Sequence, residues 1–414
     1  MGIELVQDRR IVMTLDAGRT GLKFSASRGT QLLAGPSSRP TEPEDRDACL
    51  RNIIEGFEHL RQLLPDPPAA ISFAFPGPAD YPAGIIAGLE NFPAFRDPVP
   101  LGPILEEHFG IPVFINNDGD LFVYGEAIAG FLPYVNRLLE EAGNPKRYRN
   151  LFGITLGTGL GGGIVRDGEL FLGDNSAGGE AWLLRNRLDP AVNAEEGASI
   201  RAVRRAYAMA CGIPDDNAPE PRTIAEIAAG AAPGNRVAAI EAFRRLGVVA
   251  GEVLAQALTL IDGLAVIGGG IAGAYPLFLP HLVRAMNAPY EGYAAPLRRL
   301  APLAFRIDDP AEHEAFLRGE LRSIEVPGSD RRILYDPMRR TAVGISRLGT
   351  SEAVAVAPMR SHCANWTGDE APWRREDVPP GRYERSTRYC FLPAGGASCS
   401  TDTSENTTVS DASA

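Results

Sequence analysis

The chain has 414 residues, 44% of them hydrophobic, which is enough for two domains with sizeable buried cores. Its 52 acidic and 41 basic residues give a formal net charge of −11, which disfavours a role in binding nucleic acid. The five cysteines lack C-x-x-C spacing, and no signal peptide opens the sequence, so we expect a cytoplasmic protein without disulfides or membrane attachment.

The first third of the chain is predicted to alternate strands and helices. A hairpin at Gly18–Gly21 joins the first two of four predicted strands, which are Ile11–Leu15, Leu22–Ser27, Ala70–Phe75 and Pro112–Ile115. Between Asp47 and Leu64, apolar residues recur at helical spacing, which predicts a helix facing a core: Leu50, Ile53, Ile54, Phe57, Leu60 and Leu64. Two strands, a helix and further strands are typical of an α/β domain.

A second series of elements follows residues 131–150, a polar segment with Pro133, Gly143 and Pro145 that we expect to be a surface excursion. A glycine loop is predicted at Gly157–Gly163 and a turn at Asp167-Gly168, between strands at Leu151–Thr155, Gly163–Arg166 and Gly263–Ile267. Helices are predicted after Pro276 and at Ser199–Cys211, Thr223–Ala229 and Arg236–Ile261, whereas residues 288–340 show no clear pattern.

The charge-free stretch from Gly263 to Pro280 is about as long as the shortest membrane span. Its glycines and prolines favour another explanation, a strand followed by a glycine turn and the start of a helix.

Both series open with a strand and a Gly/Thr turn, DAGRTG in the first and TLGTGLGGG in the second. This internal sequence similarity predicts two similarly built lobes facing a cleft. Chance similarity between two glycine turns is the alternative.

The glycine turns favour a nucleotide-binding site. Glycines let a backbone approach a phosphate closely, and consecutive N–H groups form a concavity that binds anions. The sequence IGGG at Ile267–Gly270 adds a third such turn, and the lack of GxxxxGK[ST] excludes a Walker-type NTPase. Asp16, directly after the first strand, is placed to hold Mg²⁺, in part through water, although an ordinary turn aspartate is the alternative.

Acidic and amide residues follow the strand that ends near Ile115. In INNDGD, Asp118 is placed to accept the proton of an attacking alcohol, as phosphoryl transfer to a hydroxyl requires. Asn116, Asn117 and Asp120 either bind polyol hydroxyls or cap the next helix. AGGEAW (Ala177–Trp182) and AEEGAS (Ala194–Ser199) add carboxylates that suit sugar hydroxyls, with plain surface acids as the alternative.

A series of motifs from about Ile11 to Val356 resembles the ROK family of bacterial sugar kinases and repressors, within the actin-like ATPase superfamily. These motifs are, in order, LDAGRT, FPGPAD, GLENFPAF, INNDGD, TLGTGLGGGIVRDGEL, GGEA, LAVIGGGIAG and TAVGISRLGTSEAVAVA. The resemblance implies an α/β fold of two actin-like (ribonuclease H-like) lobes with a central interlobe cleft. It also implies ATP and Mg²⁺ in that cleft and phosphoryl transfer to a sugar hydroxyl, usually at C6 of a hexose.

The resemblance further implies roles for individual residues, with Asp118 as the catalytic base. The substrate-binding residues it implies are Gly77, Asn91, Asn117, Asp118, Glu180 and Glu195. For ATP it implies, with Asp16 also holding Mg²⁺ through water, the residues Asp16, Gly18, Thr20, Gly157, Thr158, Gly159, Gly268, Gly269 and Gly270. A homodimer is implied by analogy alone.

The same resemblance divides the chain into five parts. Residues 1–130 form the N-terminal lobe, 131–150 the surface excursion and 151–345 the C-terminal lobe with nucleotide-binding motifs. Residues 346–357 begin a final helix that returns to the N-terminal lobe, and 358–414 form an irregular, disordered tail.

Several departures from the family pattern bear on function. Arg19 replaces the second glycine of the first phosphate motif, where it either crowds ATP or adds a charge near the phosphates. Trp182 stands in place of the motif histidine, as a stacking surface for a sugar or as a core residue. The family's zinc-binding cysteine cluster is missing, so we expect no structural zinc.

The two ends of the sequence also differ from the family. The first phosphate motif begins too early for a preceding helix-turn-helix, which favours an enzyme over a repressor. After Pro358 the sequence becomes irregular and then Ser/Thr-rich. We hypothesise that the final helix is cut short and that the tail arose by a shift of reading frame.

Together these features predict an ATP-dependent sugar kinase, acting at C6 of a hexose such as glucose. A kinase for fructose or an N-acetylhexosamine is the alternative within this class. A catalytically weak protein that senses sugar or nucleotide, without a DNA-binding domain, is the alternative outside it.

Overall fold

The computed structural model describes residues 9–18, 21–29, 31–77, 79–90 and 92–349. All of these lie in the first of the two units into which the chain divides, Met1–Asn365 and Trp366–Ala414. Arg19 and two expected ligand-binding residues, Thr20 and Asn91, lie outside the described residues. So do the continuation of the expected final helix and the expected tail.

A five-stranded sheet forms the framework of the first lobe. The strands of this lobe are β1 (Ile11–Ala17), β2 (Leu22–Arg28), β3 (Gln31–Arg39), β4 (Ala70–Ala74), β5 (Ala79–Asp80), β6 (Ile85–Ile86) and β7 (Val113–Asn116). The order across the sheet is β3-β2-β1-β4-β7, and β5 and β6 form a separate two-stranded sheet. Strands β1, β2 and β3 are antiparallel neighbours, whereas β4 and β7 run parallel to β1.

Helices α1 (Arg46–Gln62) and α2 (Leu101–Phe109) pack with this sheet around one core. The side chain of Asp45 caps α1 by accepting the N–H of Ala48, as expected at a helix N-terminus. Phe57 of α1 is fully buried and makes an edge-to-face contact with Phe24 of β2. The helical spacing of apolar residues seen in the sequence therefore marks the face of α1 that meets the sheet.

A six-stranded sheet forms the second lobe and repeats the strand order of the first. The strands of this lobe are β8 (Leu151–Leu156), β9 (Leu160–Arg166), β10 (Glu169–Leu170), β11 (Leu264–Gly268), β12 (Pro289–Tyr290), β13 (Leu297–Arg298), β14 (Leu303–Arg306), β15 (Arg322–Glu325), β16 (Arg332–Tyr335) and β17 (Arg340–Ile345). The order across the sheet is β10-β9-β8-β11-β17-β14. As in the first lobe, a central strand has an antiparallel hairpin on one side and parallel strands on the other.

Helices cover both faces of the second sheet. They are α3 (Asp118–Ile128), α4 (Phe131–Glu141), α5 (Ile200–Cys211), α6 (Pro221–Ala229), α7 (Arg236–Ile261), α8 (Tyr275–Asn287) and α9 (Pro310–Arg318). Alternate residues of β8 enter different cores, since Leu151 packs with α3 and α4 whereas Phe152 and Ile154 pack with α5 to α8. This period of two is the pattern of a strand buried on both faces.

Helix α3 connects the two lobes. It follows β7 of the first sheet directly, yet it packs against β8 and β9 of the second. The approach is close, because a Cβ on Gly119 would lie 2.8 Å from the carbonyl oxygen of Gly162. The first turn of α3 is therefore held where the two lobes meet.

Three sequence expectations need correction. Residues 131–150 are not simply a surface excursion, because α4 occupies Phe131–Glu141 and buries Phe131, Val135 and Leu139. The expected glycine loop is shorter than predicted, since β9 begins at Leu160. Strand β3 was missed because Gln31–Arg39 is mostly exposed and contains Gly35 and Pro36, which are uncommon within strands.

The stretch from Gly263 to Pro280 forms β11, a glycine turn and the beginning of α8, as the preferred interpretation predicted. None of the helices among the described residues has the length and apolar character needed to cross a bilayer.

Candidate active site

Asp16 lies near the end of β1, just before the first glycine turn. Asp16 faces Lys23 across the hairpin, with 3.7 Å between Oδ2 and Nζ, and its side chain is 76% exposed. The turn is closed by the N–H of Gly18, which donates to the carbonyl oxygen of Gly21 at 3.0 Å. Thr41 also donates its hydroxyl to the Gly18 carbonyl at 2.6 Å. An exposed carboxylate therefore lies two residues before the Gly18–Gly21 hydrogen bond.

The residues Asn117 and Asp118 open helix α3. The side-chain oxygen of Asn117 caps the helix, accepting the N–H of Gly119 at 2.8 Å, and Asp118 Oδ1 accepts the same N–H at 2.9 Å. The amide nitrogen of Asn117 donates to the hydroxyl of Tyr81 at 3.3 Å. The sequence left open whether Asn117 caps the helix, and in the structure it does so while keeping its amide group in the site.

Burial and nearby charges raise the pKa values of two carboxyls in this turn. Asp118 is open to solvent but has protein on most sides, and this desolvation raises the pKa of its carboxyl. The charge of Asp16 raises that pKa further, whereas the N–H groups of Gly119 and of Asp118 itself lower it. Burial, followed by the charges of Glu180 and Asp118, raises the pKa of Asp120 from 3.8 to about 8.

These mutual effects show that carboxylates from separate segments converge. Asp16 comes from the β1–β2 hairpin, Asp118 and Asp120 from the start of α3, and Glu180 from the loop after β10. A charge shifts the pKa of another group appreciably only when the two groups are close and poorly screened by solvent and salt. These four carboxylates therefore lie near one another.

Tyr81 belongs to this site and was not singled out in the sequence. Its hydroxyl donates to the carbonyl oxygen of Phe75 at 3.1 Å and accepts the Asn117 amide. Burial raises the pKa of the Tyr81 hydroxyl above its ordinary value, so the group stays a neutral donor. A Cβ on Gly77 would lie 2.7 Å from the Tyr81 hydroxyl, which explains a glycine at this position.

Trp182 orients Glu180. The indole Nε1–H donates a hydrogen bond to Oε2 of Glu180, while the ring is half-buried against the core of the second lobe. The sequence offered two interpretations, a stacking surface or a core residue. The ring packs on the core, and its polar edge reaches the candidate site.

Glu195 supports the second glycine turn. Its Oε2 accepts the N–H of Leu160 at 3.0 Å, and its Oε1 pairs with Arg201 at 2.5 Å. A Cβ on Gly159 would lie 2.5 Å from Glu195 Oε2. The expected sugar-binding carboxylate thus also holds the turn formed by Gly157, Thr158 and Gly159.

The triple glycine, Gly268–Gly270, packs beside Leu156, which directly precedes the second glycine turn. The N–H of Ile271 donates to the carbonyl oxygen of Leu156 at 3.0 Å. Gly269 has a φ of +88°, and a Cβ there would lie 2.3 Å from that carbonyl oxygen. A Cβ on Gly268 would contact the ring of Phe122 at 2.5 Å, whereas Gly270 is exposed with open space around it. The two expected phosphate- and adenosine-binding loops are therefore adjacent.

Further glycines of TLGTGLGGG serve packing. A Cβ on Gly162 would lie 2.4 Å from the carbonyl oxygen of Gly179, and one on Gly163 would lie 3.0 Å from Asp120 Cα. These glycines let β9 approach helix α3 and the loop that carries Glu180.

A buried carboxylate that the sequence did not single out anchors the other end of α3. Glu126 is fully buried and accepts the N–H groups of Phe131, Arg347 and Leu348 and the hydroxyl of Ser346. Its only sequence signal is an acid that follows the mostly apolar run Leu121–Gly125 of this helix.

Comparisons with known proteins agree with this architecture. Residues 12–295 match the model of the ROK family. A glucokinase of Streptomyces coelicolor is 31% identical over 289 residues, covering 64% of this chain and 84% of that protein. An N-acetyl-D-glucosamine kinase of Vibrio cholerae is 30% identical over 174 residues, 42% of this chain, and the match spans about half of that protein (52%).

Solved structures of sugar kinases are also similar to this chain. The glucokinase of Parabacteroides distasonis is 52% identical with a TM-score of 0.80, and the match covers 85% of this chain and 96% of that one. A ROK family glucokinase from Streptomyces griseus, solved with glucose and AMPPNP, has a TM-score of 0.52 at 19% identity and shares the fold; the match covers 84% of this chain and 98% of that one. The chain therefore belongs to the ROK family and has the actin-like fold of that family's sugar kinases.

Proposed function

We propose that this protein transfers the γ-phosphoryl group of ATP to the C6 hydroxyl of a hexose such as glucose. Its class, an enzyme that phosphorylates a sugar, follows from its glucokinase relatives, one of them 52% identical. The proposed reaction rests on one observation. Asp16, Asp118 and Glu180 converge at the first turn of α3, between the lobes.

Asp118 is the proposed general base. Its carboxylate takes the proton of the sugar hydroxyl as that oxygen attacks phosphorus, a role that needs a positioned carboxylate open to substrate. Desolvation and the charge of Asp16 raise the Asp118 pKa, which makes its carboxylate a better proton acceptor. The Gly119 N–H fixes one carboxylate oxygen and leaves the other for the substrate.

Polar groups around Asp118 are the proposed sugar contacts. The amide of Asn117 is oriented by the helix and by Tyr81, and Glu180 is oriented by Trp182. Gly77 keeps space beside them, and Asn91 and Glu195 complete the proposed set. Because a carboxylate oxygen has two lone pairs, Glu195 can accept a sugar hydroxyl while it holds the second turn.

The glycine turns are the proposed ATP site. Backbone N–H groups around Gly18 and Thr20, and around Gly157, Thr158 and Gly159, would bind the phosphates, with Gly268, Gly269 and Gly270 beside the adenosine. Mg²⁺ fits next to Asp16, since it needs only one or two carboxylates when waters and phosphates complete its shell, and Asp16 is exposed. When bound, Mg²⁺ would neutralise charge on the phosphates.

A coupled assay of ADP release over a panel of sugars tests the proposal. The panel includes glucose, fructose, N-acetylglucosamine and N-acetylmannosamine, each with Mg²⁺ and ATP. We expect glucose to give the highest kcat/KM. A preference for an N-acetylhexosamine would refute the proposed sugar but keep the kinase, whereas ATP binding without turnover of any sugar would favour the sensing protein.

The base assignment has its own test. Asp118→Asn should lower kcat by several orders of magnitude while the circular dichroism spectrum stays unchanged. Asp97→Asn, at an exposed carboxylate in the first lobe, is the matched control and should keep full activity. Substantial turnover by Asp118→Asn would disprove Asp118 as the base.

The proposed setting is a cytoplasmic homodimer that works without zinc. Light scattering coupled to size exclusion measures the oligomeric state, and a monomer at assay concentrations would contradict this part of the proposal.

A further inference from the structure

A cavity of about 540 Å³ lies at the edge of the second sheet where its parallel strands begin. Its lining includes Asn150 before β8, Asp262 before β11 and Arg339 before β17. The glycine turns of the candidate active site follow the other ends of β8 and β11. Since β8 has six residues, the two edges are ~20 Å apart, and the cavity is separate from the proposed kinase site.

Basic side chains dominate this cavity. The lining has two acids, Asp167 and Asp262, against five basic residues, Lys146, Arg147, Arg149, Arg339 and Arg340. Asp167 is already near another cation, since its carboxylate lies 3.7 Å from Arg166. In a chain with a net charge of −11, this local excess of positive charge needs a physical reason.

Most of these cations have no carboxylate partner among the described residues. Arg340 is the exception and pairs with Asp336 at 2.6 Å. Lys146 and Arg147 donate instead to backbone carbonyl oxygens, at 3.1 Å and 2.6 Å. Arg149 and Arg339 are exposed and form no ion pair in the part of the chain that the structure describes.

The charged form of the Lys146 side chain is disfavoured by its surroundings. Burial lowers the pKa of the Lys146 ammonium, and the charge of Arg340 lowers it further, while Asp336 and Asp262 raise it. An anion in the cavity would stabilise this ammonium in its charged form.

We propose that this cavity binds a small molecule bearing a phosphate group, held by Arg149, Arg339 and Lys146. The volume suits a small-molecule site, for which about 300 to 1,000 Å³ is typical. Guanidinium groups form bidentate hydrogen bonds with phosphate oxygens. A doubly charged phosphate group also neutralises several unpaired cations at once. The ring of Tyr148 and the side chain of Pro302, also in the lining, suit the uncharged part of such a ligand.

Titration calorimetry with pyrophosphate as the probe tests this proposal. The protein is first saturated with ADP, without Mg²⁺, so that the proposed nucleotide site is occupied. The test variant is Arg149→Gln/Arg339→Gln, whose two side chains are exposed, so that folding is retained. The matched control is Arg222→Gln/Arg318→Gln, at arginines that are 92% and 70% exposed elsewhere on the same lobe.

We expect pyrophosphate to bind the wild type and the control equally and the test variant at least about tenfold more weakly. Equal affinity in all three proteins, or no binding to the wild type, would overturn the proposal. Tighter binding of citrate than of pyrophosphate would overturn the assignment to a phosphate group. Because sugar turnover is not measured, this outcome is independent of the kinase proposal.

Discussion

Replacing Asp120 by asparagine should make the protein more stable and change how its stability depends on pH. Asp120 is 3% exposed, and its Oδ1 has no hydrogen-bond partner among the described residues. Asparagine has nearly the same shape and carries no charge. The substitution therefore removes the cost of ionising a buried group beside Asp118 and Glu180.

The size of the effect follows from the pKa of Asp120, which burial and its acidic neighbours raise from 3.8 to about 8. Between these values the folded protein keeps the proton while the unfolded chain releases it. The stabilisation from the protonated form is complete below pH 3.8 and is lost as the pH rises towards 8. The loss is ~1.4 kcal/mol per pH unit, so the variant should gain ~2.7 kcal/mol relative to wild type between about pH 5 and pH 7.

Urea unfolding of both proteins, followed by circular dichroism at several pH values, measures this difference. Asp174→Asn, at an exposed carboxylate on the second lobe, is the control and should follow the wild type. A free-energy gap between Asp120→Asn and wild type that stays constant from about pH 5 to pH 8 would show that Asp120 titrates alike in both states, and the burial argument would fail.

Two further predictions concern the expected ligand-binding loops. Trp182→Phe keeps an aromatic ring but removes the indole N–H that donates to Glu180. The KM for the sugar should therefore rise about fivefold to tenfold, with a smaller change in kcat. Leu183→Ala, at the exposed neighbour, is the control, and an unchanged KM for every sugar would contradict the positioning role. Gly269→Ala places a Cβ 2.3 Å from the Leu156 carbonyl at a φ of +88°, so it should cost more than about 1 kcal/mol and raise the KM for ATP. Gly273→Ala, with open space around it, should change neither the melting temperature nor this KM, and equal behaviour of the two alanine variants would refute the argument.

The elements that the sequence predicted well depend on local patterns. The spacing of Ile53, Phe57 and Leu60 identified helix α1, and the glycine turn between two predicted strands identified the β1–β2 hairpin. Each pattern spans a few residues and fits one periodicity, so no distant partner was needed to recognise it. The family motifs extended this to the fold of two actin-like lobes and to the expected residues of the candidate site.

The elements that were missed depend on distant partners. Strand β3 exists because β2 pairs with it, although its own sequence contains Gly35 and Pro36. Helix α4 looked like a surface segment because of Pro133, yet Val135 and Leu139 are buried in the core shared with α3. In both cases, tertiary contacts outweigh weak local propensity.

By itself the sequence determined the family, the two glycine turns and the identity of Asp118 as the candidate base, since these follow from residue types in short, ordered motifs. Only the tertiary structure decided that Trp182 orients Glu180 and that Glu195 holds the second turn. It also decided that Asp120 is buried with no hydrogen-bond partner for Oδ1 in the part of the chain that the structure describes. Hydrogen bonding and burial are properties of pairs of groups brought together by folding. These contacts and this burial therefore exist only once the chain has folded.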